Sequence, residues 1–130
     1  MEQYLSYEDY KKLGGSLKEM PFKILEFEAK KRIDGRTQNR FKDIEEAPKE
    51  LKMCEYAIIN TIESGFSEIK SVKSESIDGY SVSYLSPVEI QQVIISKSMQ
   101  IEDIMRAYLL ETKIDGVPVL YRGLWLQIQI

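Results

Sequence analysis

The chain has 130 residues, 43% apolar and 30% charged, with 18 Lys plus Arg against 21 Asp plus Glu for a net charge of −3. That is the make-up of one globular domain around one core. There is no histidine and one cysteine, Cys54, which excludes a Ser-His-Asp or Cys-His nucleophile, a histidine base, a His/Cys zinc site and an internal disulfide.

Carboxylate chemistry stays open, either as a paired acid and base or as an oxygen-ligated magnesium or calcium site. The acids, however, are spread along the whole chain. The negative balance argues against nucleic-acid affinity from bulk charge. The opening Met1-Glu2-Gln3-Tyr4 is no signal sequence, and no apolar run approaches the roughly 20 residues that span a bilayer. A soluble protein made in a cytoplasm, with Cys54 reduced and no membrane partner, is expected.

In chain order, Ser6 can cap a short helix with Glu8 and Asp9 in its first turn and Lys11 and Lys12 in its last, ending at Gly14. Tyr4, Tyr7 and Tyr10 are spaced by three, so they lie along one side, read as pinning the helix to a core or as a surface for a partner. Pro21 opens a second helix on which Phe22, Leu25, Ala29 and Ile33 recur at helical spacing down to Asp34-Gly35. Its wet face is expected to carry Lys23, Glu26, Lys30 and Lys31. Between residues 30 and 42, six basic residues including Arg32, Arg36 and Arg40 stand against Asp34 alone. A locally positive surface is expected there, read as a solvated face or as a site for phosphate or an acidic partner.

Pro48 opens a third helix with Leu51, Cys54, Ala57, Ile58, Thr61 and Ile62 on one stripe, stopped by Ser64-Gly65. Cys54 on that stripe reads as a small buried hydrophobe rather than a reactive thiol, because no histidine is available to activate it. Residues 69–77 and 80–85 then mix apolar with polar residues around Asp78-Gly79, which predicts a β-hairpin at about 69–85. Tyr80, Val82 and Tyr84 would share one face of its second strand. Ser86-Pro87-Val88-Glu89 is a capping box, followed by one helix or two as far as Leu109, with Glu102 and Asp103 read as decorating a helix N-terminus. Asp115-Gly116 and Tyr121-Arg122-Gly123 mark turns. The remainder, with Leu124, Trp125, Leu126, Ile128 and Ile130, reads as an extended apolar tail, paired within the domain or made for a partner. The predicted fold is therefore mainly α: a small bundle of four to five helices with a β-hairpin, occupying residues 1–123, and a C-terminal extended tail at 124–130.

These pieces, in this order and length, resemble the head-tail connector proteins of long-tailed bacteriophages and related prophages, also called adaptor or head completion proteins. The resemblance rests on Tyr7-Glu8-Asp9-Tyr10, the Pro21 helix with Ala29 and Ile33, and the Pro48 helix. It continues through Ser74 to Tyr84, Tyr108-Leu109-Leu110 and Leu120-Tyr121-Arg122-Gly123. It implies a structural virion protein at the head-tail interface, assembled in the host cytoplasm, with no catalysed reaction and no cofactor. The implied partners are copies of itself in a twelve-fold ring, the portal protein, and a stopper or tail completion protein. Genomic DNA would pass through the channel without sequence-specific binding. Candidate interface residues are Arg32, Arg36 and Arg40 in the basic run, Tyr80 and Tyr84 on the ribbon, Tyr121 and Arg122, and the tail residues Leu124, Trp125, Leu126, Ile128 and Ile130. The helices at 21–33 and 48–64 would pack one subunit on the next. The alternatives are a small nucleic-acid-binding or regulatory protein using residues 30–42, and a carboxylate enzyme whose acids are brought together only by the fold.

Overall fold

A computed structural model describes residues 2–78 and 86–121, with 70–78 described through their backbone. The fold is mainly helical, with four helices and a two-strand antiparallel hairpin among the described residues: α1 (Tyr7–Lys12), α2 (Glu19–Arg36), α3 (Lys49–Asp78), α4 (Pro87–Leu109), β1 (Lys113–Ile114) and β2 (Val117–Pro118). Helix α3 packs on both α2 and α4, and the C-terminal end of α2 reaches α4 through the Arg36–Glu102 ion pair.

Both predicted caps are present. Ser6 Oγ accepts from the Asp9 amide at 3.1 Å. Ser86 Oγ accepts from the Glu89 amide at 3.1 Å, while Glu89 Oε1 accepts from the Ser86 amide at 3.4 Å, closing the capping box. From Pro87 to Leu109 there is one unbroken helix.

The tyrosines bind the N-terminal region to the core. Tyr10 is fully buried and packs at 4.6 Å between ring centroids on Phe22. Its hydroxyl accepts from the Leu17 amide at 3.0 Å, and the Tyr7 hydroxyl donates to the Leu17 carbonyl at 3.0 Å. Both backbone groups of Leu17 are thus satisfied without a strand partner. Gly15 lies against the Tyr10 ring so closely that a Cβ there would come within 2.2 Å of it.

Two expectations about the middle of the chain are corrected. Helix α3 does not stop at Ser64-Gly65 but continues to Asp78, so residues 69–77 are helical and form no hairpin arm. Gly65 is a packing position. It is buried, and the Lys97 stem lies across it with Cγ 3.1 Å from where a Cβ would stand. Lys97 Nζ then reaches Glu68 at 3.0 Å and Ser64 at 3.4 Å. With Gly65 at this crossing, Ile62, Phe66 and Ile69 extend the α3 stripe along α4. The predicted second arm, with Tyr80 and Tyr84, lies outside the described residues, as do Arg122 and the tail at 124–130. The hairpin present among the described residues is at 113–118. Asp115 and Gly116 both have positive φ (52° and 81°), as a tight two-residue turn requires, and Ile114 pairs with Val117.

The core runs from Leu5 and Tyr10 through Phe22, Ala29 and Ile33 of α2, Leu51, Ile58 and Ile59 of α3, and Ile101 and Leu109 of α4 to Val119 beyond the hairpin. Cys54 is fully buried within it. Burial, and then the adjacent Glu55, push its thiol up to about 12, so it is an inert core residue as the stripe predicts.

Candidate functional site

Three groupings on and around α2 carry the polar and exposed features on which function can rest. The first is an acid cluster beneath the N-terminal segment. Glu55 on α3 is fully buried and Glu26 on α2 is 5% exposed. The Tyr4 amide donates to Glu26 Oε2 at 3.2 Å, and the Tyr4 hydroxyl donates to Asp34 Oδ1. Lys30 Nζ pairs with Asp34 Oδ2 at 3.1 Å and sits 5.1 Å from the centroid of the Tyr4 ring. Neither Glu55 oxygen lies in hydrogen-bond geometry with a partner. Burial first, and the facing Glu26 second, push Glu55 up to about 11, so it is a neutral acid at pH 7. A protonated Glu55 gains an O–H to offer Glu26, the arrangement two acids in one dry site adopt.

This is the carboxylate pair that a linear reading leaves hidden, and it corrects the expectation that Glu26 lies on the wet face of α2. Among the described residues, no group of three or more acidic or cysteine side chains is arranged to hold a metal ion. Both glutamates are buried, with the Tyr4 backbone of the N-terminal segment lying against Glu26. What the cluster holds is Tyr4.

The second grouping is an arginine clamp. Arg36 Nε pairs with Glu102 Oε1 at 2.9 Å and Nη1 donates to the Leu120 carbonyl at 3.0 Å. Arg40 Nη1 donates to the Val119 carbonyl at 2.8 Å, and its guanidinium lies 5.8 Å from the Tyr121 ring centroid. Two of the three arginines of the basic run therefore face inward and fasten the chain after the hairpin to the end of α2. Glu102 is corrected as well. It sits deep within α4, bridging Arg36 and, at 3.3 Å, Arg106, because α4 is one helix and has no second N-terminus. Arg32 remains exposed beside the α3–α4 groove, and Tyr121 is half-buried.

The third grouping was not expected from sequence. On α2, Met20, Ile24 and Phe27 are 66, 62 and 64% exposed, directly opposite the buried stripe. On the outer face of α4, Val88, Ile95 and Met99 are 65, 49 and 65% exposed. Helix α2 is apolar on both faces, and the amphipathic pattern expected of it is present only on the inner one. The signal was available in the 20, 24, 27 spacing, which repeats along one side of a helix as the core residues do along the other.

No family model, curated protein or solved structure matches the chain.

Proposed function

We propose that the chain is a structural virion protein: a head-tail connector adaptor that forms a ring beneath the portal, extends the DNA channel and docks a stopper or tail completion protein. The observation that carries this reading is the pair of exposed apolar faces on α2 and α4, each turned away from the core. Exposed large side chains repeated along one helix face suit contact with another protein more than contact with water. A subunit with two such faces on different helices can offer a different surface to each neighbour, the requirement of a heterologous ring. Many modest contacts then add up, and docking on a symmetric portal reinforces them. A net charge of −3 suits a channel wall that lets phosphates pass without holding them.

The nucleic-acid alternative loses support from the arginine clamp, because Arg36 and Arg40 are committed to Glu102 and to two carbonyls. Charge reversal at those two positions is for the same reason a test of folding rather than of partner binding.

Electron microscopy of the full chain, alone and mixed with the portal protein of the same virus, tests the proposal. Rings coaxial with the portal are the expected result. A protein that stays monomeric with portal present, yet shifts duplex DNA in a gel at physiological salt, overturns it.

A further inference from the structure

We propose that copies of this chain associate head to tail, the outer stripe of α2 on one copy packing in parallel against the outer stripe of α4 on the next, with Lys31 of one opposite Asp103 of the other. The inference names the contact behind the self-association proposed above and rests on that part of the reading, not on the portal. Two independent observations agree on the geometry.

The first is charge register. On α2 the stripe is Met20, Ile24, Phe27 and then Lys31. On α4 it is Gln92, Ile95, Met99 and then Asp103. Each covers the same number of turns, and each has its charge at its C-terminal end, with opposite sign. Phe27 and Lys31 line one shallow depression, and Ile95, Met99 and Asp103 line another. Both charges are exposed, and neither makes an ion pair with a described residue. Opposite charges meet at the ends of the two stripes only when the helices run parallel; an antiparallel pairing leaves both unmatched.

The second observation is chain direction. Lys97 lies over Gly65, and Ile101 beside Ile62, so α4 runs opposite to α3. Pro21 and Ile24 lie beside Phe66, while Glu26 faces Glu55, so α2 also runs opposite to α3. Helices α2 and α4 therefore run the same way within one chain. Copies related by rotation about an axis along the helices keep that direction. The outer face of α2 on one copy then meets the outer face of α4 on the next in the parallel sense the charges require. Because the two faces are different surfaces, the contact is heterologous, and the association propagates until rotation closes it.

The test uses two measurements on the full chain. The first is sedimentation of Lys31→Glu, Asp103→Lys and the double exchange. Each single reversal is expected to raise the concentration for half-association about tenfold, and the exchange to restore it to within about threefold of the parent, less so at high salt. Circular dichroism verifies that all variants keep their helix content. The second is oxidation of Lys31→Cys/Asp103→Cys, whose new thiols react while the buried Cys54 stays inert. A ladder of dimers, trimers and higher species is expected.

A product that stops at dimers, or single reversals without effect, overturns the inference. If rings still form under the microscope in that case, the adaptor reading survives and only this contact is wrong. A parent chain that stays monomeric both alone and with portal overturns both.

Discussion

The two ends of the described chain are fastened to the same helix by opposite electrostatics. Near its middle α2 holds the N-terminal segment through carboxylates, Glu26 and Asp34 accepting from Tyr4. At its end and just beyond, Arg36 and Arg40 hold the C-terminal segment by donating to Leu120 and Val119. The acid anchor is dry and crowded with like charge, so its strength depends on a proton. The arginine anchor is part-exposed and rests on two backbone carbonyls and one ion pair, with no buried acid in it. One end of the molecule therefore rests on a buried acid and the other does not.

The largest expected effect comes from removing the proton dependence. Glu55 ordinarily titrates near 4.5 and is raised to about 11 in the fold. The folded chain keeps a proton that the unfolded chain releases above pH 4.5, so the stability it contributes is complete below that pH. It falls steadily as pH rises toward 11. Glu55→Gln keeps the shape without the acid. It is expected to stabilise the protein at pH 7 by on the order of 3 kcal/mol and to flatten the fall between pH 5 and 9, read by urea denaturation across that range. A variant that is less stable at pH 7, with the slope intact, would mean that Glu55 is ionised in the fold.

Arg36→Ala breaks the other anchor. It leaves Glu102 without its inner partner and the Leu120 carbonyl unpaired, and is expected to cost about 2 kcal/mol with the pH slope unchanged. Loss of slope in this variant would erase the contrast between the two ends. Arg40→Ala removes one carbonyl bond and the Tyr121 stacking and is expected to cost about 1 kcal/mol, with faster amide exchange at Val119 and Leu120. Tyr4→Phe deletes only the hydroxyl donated to Asp34. A loss of about 1 kcal/mol or less is expected, and proteolysis within residues 2–6 should quicken if this bond secures the segment.

Much of this was legible before any coordinates. Ser6, the Ser86 to Glu89 box and the Asp115-Gly116 turn are local devices, each complete within a few residues, and each forms as its chemistry dictates. Gly65 was misread because a helix stop and a close helix crossing use the same residue for different reasons. Only Lys97, 32 positions away, distinguishes them. Arg36 and Arg40 read as solvent-facing because their acceptors are a glutamate on α4 and two carbonyls beyond the hairpin, none of them near in sequence. Glu26 and Glu55 left a fainter trace. Glu26 falls four after Phe22 and three before Ala29, and Glu55 four after Leu51 and four before Ile59. Each is a charged residue at a core angle, a signal that the reading of Glu26 as a wet-face residue passed over and that names no partner.

The arginine clamp also sets a ruler. Because Arg40 donates to the Val119 carbonyl and lies over the Tyr121 ring, Tyr121, the last described residue of this segment, is held at a defined point near the end of α2. Fully extended, the segment from Tyr121 to Ile130 spans about 30 Å. Whatever surface Trp125 or Ile130 touches, in this copy or another protein, must come within that radius of the clamp, and a distance label at position 121 measures whether it does.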